Sequence, residues 1–121
     1  MSELLTSQVH ALPMAIATYL ERSVSAKPAA ARQTFSEFAV VVDNGQTYTG
    51  QAAIASWLVD TAGEKEYTTT QLHLDRDDSA TTIVHRVEGT FPGRRVELSS
   101  RFELDAESGL IRALTISLFS A

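Results

Sequence analysis

The residue with the clearest chemical potential is Asp43, which follows Val40-Val41-Val42 and directly precedes Asn44-Gly45. A carboxylate that lies among valine side chains loses solvation and becomes a stronger base. The position also suits a structural role, because an aspartate before a turn often accepts hydrogen bonds from the turn backbone. Two interpretations of Asp43 therefore stay open, a proton acceptor for a substrate and a residue that stabilises a turn.

Two histidines, His73 and His85, lie on segments that the apolar pattern predicts to be neighbouring strands. They point to one face of a sheet if the connecting turn has an odd number of residues, and to opposite faces if the number is even. On a shared inner face they could form an acid–base pair or hold a substrate oxygen, since histidine titrates near neutrality. The alternative is that both are structural or solvated. Neither cysteine nor a close spacing of histidines and carboxylates is present, so we expect no metal and no cofactor.

Three aromatic residues could line a pocket for an apolar ligand. Trp57 lies beside Ile54 and Leu58 on a predicted helix, whereas Tyr48 and Phe102 lie on predicted strands. A large ring at such a position either stacks on a flat ligand or packs in the core, and both interpretations stay open.

Length and composition are typical of one globular domain. The chain has 121 residues, 44% hydrophobic and 21% charged, which suits a single domain over residues 1–121 with a substantial core. A formal net charge of −5 without a lysine and arginine cluster argues against a nucleic-acid partner. The N-terminal segment lacks the basic start of a secretory signal and is too polar to span a bilayer. We therefore expect a cytoplasmic protein without a membrane partner.

Helical signals dominate the first part of the chain. Apolar residues recur at helical spacing from Leu12 to Val24, and Pro28 begins a short second helix that runs to Arg32. The segment Phe38–Val42 predicts a strand that is covered on both faces, and Asn44-Gly45 predicts a type I′ hairpin. Helical spacing returns over Gln51–Val59.

The rest of the chain predicts long strands separated by turn residues. The predicted strands are Tyr67–Asp75, Ala80–Thr90, Arg95–Asp105 and Leu110–Phe119. Apolar and polar residues alternate in the third of these, which is typical of a half-buried antiparallel strand. Helices followed by such a meander indicate an α+β domain with helices on one face of a curved sheet.

Two stretches carry a resemblance to a known family. They are Phe38–Asp43 with Tyr48–Ile54, and Val87–Gly93 with Phe102–Asp105 and Ile111. With the order of elements, they resemble the nuclear transport factor 2-like superfamily, and within it the SnoaL-like and ketosteroid-isomerase-like bacterial members. The resemblance implies a cone-shaped, curved antiparallel sheet wrapped around N-terminal helices, a cystatin-like α+β barrel. It also implies an apolar pocket at one end of the cone and a homodimer through the outer sheet face.

The resemblance implies catalytic residues as well. Ketosteroid-isomerase-like members use a carboxylate base at the end of the first strand, a first-helix tyrosine that donates to the oxyanion, and a protonated aspartic acid on a later strand. In its place along the chain, Asp43 resembles the family's carboxylate base, and Tyr19 resembles the family's first-helix tyrosine. The third position falls near Ser100, where this chain has no acid. Tyr19 also lies on an apolar stripe, where a core role is the alternative.

Three functions stay open on the sequence. The first is an isomerase- or cyclase-like enzyme that moves a proton next to a carbonyl of a hydrophobic small molecule, with Asp43 as base and Tyr19 as donor. The second is a module that binds such a molecule without catalysis, and the third is a dimeric interaction protein with a filled interior. The residues expected to contact the ligand are Trp57, Tyr48, Ser100, Phe102, His73 and His85.

Overall fold

The structure is a computed structural model that describes residues 12–23, 27–63, 67–77, 80–89 and 95–119. Within these ranges lie the helices α1 (Met14–Ser23) and α2 (Gln51–Gly63), with a 3₁₀ helix (Pro28–Thr34) between them. The strands are β1 (Phe35–Asp43), β2 (Gln46–Thr49), β3 (Tyr67–Arg76), β4 (Thr81–Gly89), β5 (Arg95–Leu104) and β6 (Ile111–Leu118). Val24 and Thr90, the last residues of two predicted elements, lie outside the described residues.

The described strands form one six-stranded sheet in the order β2-β1-β6-β5-β4-β3. Strands β3 to β6 form an antiparallel meander, and β1 pairs with β2 in an antiparallel hairpin. Strand β1 runs parallel to β6, so the sheet is mixed and not antiparallel throughout as predicted. The parallel pair forms because α2 carries the chain from the hairpin to β3 at the far edge, and the meander returns from there to β1. The sheet is curved and unclosed, which confirms the predicted α+β cone architecture.

The turn between β1 and β2 is the hairpin that the sequence predicts. Asn44 and Gly45 have φ values of 53° and 81°, both positive as a type I′ turn requires. Gly50, with φ 86°, then redirects the chain into α2. Its N–H donates to the carbonyl of Ala39 at 3.0 Å, and its carbonyl accepts from the N–H of Ile54 at 3.0 Å. Helix α2 therefore begins against the middle of β1.

We call the sheet face that packs against the helices the inner face, and the opposite one the outer face. A single hydrophobic cluster joins this face to the helices. From the helices it includes Ile16, Tyr19, Ile54, Trp57 and Leu58, and from the sheet Val41, Ile83, Phe102 and Leu114. The apolar stripe of α1 is therefore a core stripe, as its spacing predicts.

The expectation that β1 is covered on both faces is wrong for this chain by itself. Val41 is fully buried on the inner face, whereas Val40 and Val42 are only half-buried on the outer face. Phe38 is 81% exposed. The pairing of β1 with β6 shifts register between Phe35 and Val40, so Phe38 lies in an irregular part of the ladder and has no paired residue on β6.

Candidate functional site

Cross-strand pairing sorts the inner face into three rows, because directly paired residues project from the same face of a sheet. The covered row contains Tyr48, Val41, Leu114, Phe102, Thr81 and Arg76. The polar row, two residues further along the strands, contains Gln46, Asp43, Ile116, Ser100, Ile83 and Leu74. The open row contains Leu118, Leu98, His85 and Gln71.

Along β5 and β6, burial falls from the covered row to the open row. Phe102 and Leu114 are 1% and 0% exposed beneath the helices, and Ile116 of the polar row still packs against this core. In the open row Leu98 is half-buried and Leu118 is 67% exposed. In the described part of the chain, the helices therefore cover the inner face only as far as the polar row.

Asp43 is held by α2. Its Oδ2 accepts a hydrogen bond from the indole Nε1–H of Trp57 at 2.9 Å, and Trp57 is only 4% exposed. Because α2 begins against Ala39, Trp57 lies roughly 10 Å along the helix from Gly50, while Asp43 lies roughly 13 Å along β1 from Ala39. Because these two distances are similar, the Trp57 indole reaches the Asp43 carboxylate.

This bond separates the two interpretations of Asp43. Among the described residues, the carboxylate accepts from Trp57 and not from the backbone of the Asn44-Gly45 turn. A donor aimed at a carboxylate makes a charge-assisted bond, which fixes the orientation of the acid. Oδ1, the second oxygen, has no donor within the described ranges and stays able to accept a proton or a hydrogen bond.

Tyr48 completes an aromatic pair beside Asp43. Its ring centroid lies 6.1 Å from that of Trp57, with an angle of 36° between the planes. The Tyr48 hydroxyl donates to Oε1 of Gln46 at 3.0 Å, and Gln46 is the residue paired with Asp43 across the hairpin. Ring stacking and hairpin pairing thus fix both neighbours of the carboxylate.

Tyr19 lies in an aromatic group inside the core. Its ring meets Phe35 at a centroid distance of 5.7 Å and an angle of 89°, and Phe102 at 5.5 Å and 67°. Both are the edge-to-face arrangements that aromatic rings prefer. With Tyr19 9% and Phe102 1% exposed, both rings pack as core residues.

The two histidines point to opposite faces. His85 pairs with Leu98 and Gln71 on the inner face, whereas His73 pairs with Val84 and is exposed on the outer face. The register of β3 shifts between Gln71 and His73. Burial lowers the pKa of His85 below 6.5, because desolvation disfavours the imidazolium. His85 is therefore a neutral imidazole near pH 7, and the two histidines do not form a pair.

Ser100 lies between Asp43 and His85 on the inner face and is 8% exposed. It is two strand spacings, roughly 10 Å, from Asp43. As a diagonal neighbour on the adjacent strand, it is roughly 7–8 Å from His85 between Cα atoms. Asp43 and His85 are three strand spacings apart and two residues apart along the strands, roughly 16 Å in all, so only a bound molecule could connect them.

Two kinds of sequence comparison give no match. No protein-family profile matches the chain, and neither does any curated protein sequence. Solved structures match across most of its length. A protein from Sinorhizobium meliloti, named as a candidate polyketide cyclase, is similar with a TM-score of 0.79 and 28% identity, over 90% of this chain and 98% of that one.

Two further structures identify the fold. A protein of ketosteroid isomerase-like fold from Catenulispora acidiphila, in complex with trimethylamine, has a TM-score of 0.72 and 20% identity over 87% of this chain and 85% of that one. Nuclear transport factor 2 from Cryptosporidium parvum has a TM-score of 0.69 and 15% identity over 84% and 86%. The chain has the nuclear transport factor 2-like fold.

In this chain of nuclear transport factor 2-like fold, sequence reasoning missed three apolar residues of the polar and open rows. Leu98, Leu118 and the half-buried Ile116 were not among the predicted ligand contacts. The alternation along β5 carries a usable signal, because it places Leu98 on the same face as Ser100 and Phe102.

Metal and membrane features can be tested over the described ranges. No group of three or more histidine, aspartate or glutamate side chains able to hold a metal occurs there. In the same ranges, no helix is long and apolar enough to cross a membrane.

Proposed function

We propose that the protein binds a hydrophobic small molecule across the polar row and the open row. The observation that carries this proposal is the apolar surface that the helices leave uncovered, with Val96 37% and Leu118 67% exposed beside the half-buried Leu98. Apolar surface with a few convergent polar groups is the usual composition of a small-molecule site. The polar groups here are Asp43, Ser100 and His85.

The separations of these groups favour a ligand of two or more fused rings. A body of that size can lie on Leu98 and Leu118 while its polar atoms reach Ser100 and either Asp43 or His85. A single small ring cannot span the roughly 10 Å between Asp43 and Ser100. The similarity to a candidate polyketide cyclase supports a ligand of this kind.

The finer proposal is proton transfer next to a carbonyl. Oδ1 of Asp43 takes the proton from the carbon beside the carbonyl, and the C–H electron pair moves to the carbonyl oxygen as an enolate. A hydroxyl donates to this oxyanion, a role assigned by resemblance to Tyr19 and open to Ser100. In an enolate conjugated with a neighbouring double bond, the proton then passes from Asp43 to the far carbon of that system while the carbonyl re-forms. The double bond shifts, so the net reaction is an isomerisation.

Hydrogen–deuterium exchange tests this chemistry directly. We expect the protein to accelerate exchange at the carbon beside the carbonyl of 2-tetralone in D₂O, followed by NMR. Asp43→Asn should lower the acceleration on the order of 100-fold or more, since a general base contributes that much. Asp75→Asn removes an exposed carboxylate of the outer face and serves as the matched control. Undiminished exchange with Asp43→Asn would remove Asp43 as the base.

Binding without catalysis is the second candidate, and the packing of the covered row favours it. Tyr19 packs against Phe35 and Phe102 and Trp57 is almost fully buried, so these rings act as core residues. A ligand that raises the melting temperature of the protein, with exchange no faster than in buffer, would support this candidate. A ligand stabilises by binding only the folded state.

We also propose a homodimer through the outer face. Val40, Val42 and Ala113 are half-buried there, and two ion pairs, Arg86–Glu97 and Arg101–Glu103, flank them on the meander. A second copy would cover the apolar strip that this chain leaves partly in water. Sedimentation equilibrium should give a dimer that Val42→Lys shifts toward monomer, and a monomeric wild-type chain at 100 μM would exclude the proposal.

A further inference from the structure

Among the described residues of the proposed site there is one fixed charge, that of Asp43, and it is negative. We infer that the site selects ligands whose polar end donates a hydrogen bond, an alcohol or an ammonium group, and rejects carboxylates and other anions. This inference rests on the proposed binding site and names the ligand class that it takes.

The charges on the inner face support this selection. In the polar row Asp43 is the single charged side chain, and the open row contributes His85, which burial keeps neutral near pH 7. Among the described residues of the strands, Arg76 is the basic residue on the inner face. It pairs with Thr81 in the covered row. His85 lies four positions further along β4 than Thr81, a distance of roughly 13 Å.

The other basic residues of the described meander belong to the outer face or to exposed ion pairs. Arg86 is bridged to Glu97, and Arg101 and Arg112 both contact Glu103. Arg95 pairs with Glu88, on the face opposite Val96. Among the basic residues of the described meander, therefore, none belongs to the polar row or the open row.

The hydrogen-bond capacity of the site points the same way. Oδ2 of Asp43 is occupied by Trp57, so the bound ligand meets Oδ1, which only accepts while the acid is ionised. A hydroxyl or ammonium group supplies the missing donor. A carboxylate supplies none and is repelled, and like charges about 5 Å apart at an intermediate dielectric weaken binding roughly 10- to 100-fold.

Three ligands with one apolar body test the inference. They are 2-naphthylmethanol, 2-naphthylmethylamine and 2-naphthoate, titrated into the intact chain by calorimetry at pH 7.5. The alcohol and the amine should bind at least tenfold tighter than the acid. Asp43→Asn should bring the amine and the acid within about threefold of each other, because Coulomb repulsion is lost. Asp75→Asn, on the outer face, should leave the ranking unchanged.

The outcomes separate the two proposals. Binding of the acid as tight as that of the alcohol overturns the inference and leaves the proposed site intact. Binding of none of the three at millimolar concentration removes the proposed site and the inference with it. If Asp43→Asn does not fold, the same three titrations on the wild-type chain at low and high salt test the inference. Raising NaCl from 50 to 500 mM should narrow the gap between amine and acid, and an unchanged gap contradicts a charge-based selection.

Discussion

The bond between Trp57 and Asp43 can be measured by a double-mutant cycle. Asp43→Ala removes the acceptor and leaves the indole N–H of a residue that is 4% exposed without this partner, which costs about 1–3 kcal/mol. Trp57→Phe removes the donor together with part of a buried ring. A hydrogen bond to a charged group contributes about 1.5–3 kcal/mol. Since Asp43 is half-buried and water replaces part of the lost bond, we expect a coupling energy of about 1–2 kcal/mol.

Urea unfolding followed by far-UV circular dichroism at pH 7 is the suitable assay, because the chain has a single tryptophan and Trp57→Phe abolishes its fluorescence. Asp43→Asn, which keeps an acceptor oxygen, should cost less than Asp43→Ala. The control cycle pairs Trp57→Phe with Asp75→Ala, at the opposite edge of the sheet, and should be additive. A Trp57–Asp43 coupling below about 0.3 kcal/mol would refute the argument that this bond orients the carboxylate.

Burial lowers the pKa of His85 below 6.5, so the unfolded chain binds a proton that the folded chain resists. The free energy of unfolding should therefore fall as the pH drops below 6.5, more steeply in wild type than in His85→Gln, and equal slopes in urea titrations from pH 7.5 to 5.5 would contradict this. Phe102→Ala should lower the free energy of unfolding by about 3–5 kcal/mol, whereas Phe38→Ala, at an 81% exposed site, should lower it by less than about 0.5 kcal/mol. Equal denaturation midpoints for the two variants would contradict this expectation. Gly50→Ala should cost about 1–2 kcal/mol through its φ of 86° alone, because no atom lies within 4 Å of the new Cβ; an unchanged midpoint would mean that the turn relaxes.

Local signals were enough to predict the elements of this fold. Asn44-Gly45 specifies its hairpin by tolerance of positive φ, and the spacing of Ile16 and Tyr19 identifies the buried stripe of α1. Element ends are less exact. Strand β1 begins at Phe35 and α2 continues to Gly63, because pairing and packing extend both beyond their strongest local signals.

The arrangement of the site depends on contacts that no local pattern encodes. Trp57 reaches Asp43 only because Gly50 anchors α2 against Ala39. The faces of His73 and His85 depend on a register shift in β3, which turn chemistry does not reveal. Position alone could name Asp43 and Ser100 as site residues, but only the order of the strands brings them into one row.

Strand β6 joins two parts of the sheet that are otherwise separate. On one side it pairs with β1, through Asp43 and Ile116, and on the other with β5, through Ile116 and Ser100. During translation β1 leaves the ribosome long before its parallel partner, so the edge of β1 opposite β2 stays unpaired until β6 has emerged. Such distant pairing is slow to form and exposes apolar strand edges to aggregation and chaperones. The proposed site is therefore complete only after β6 has joined the sheet.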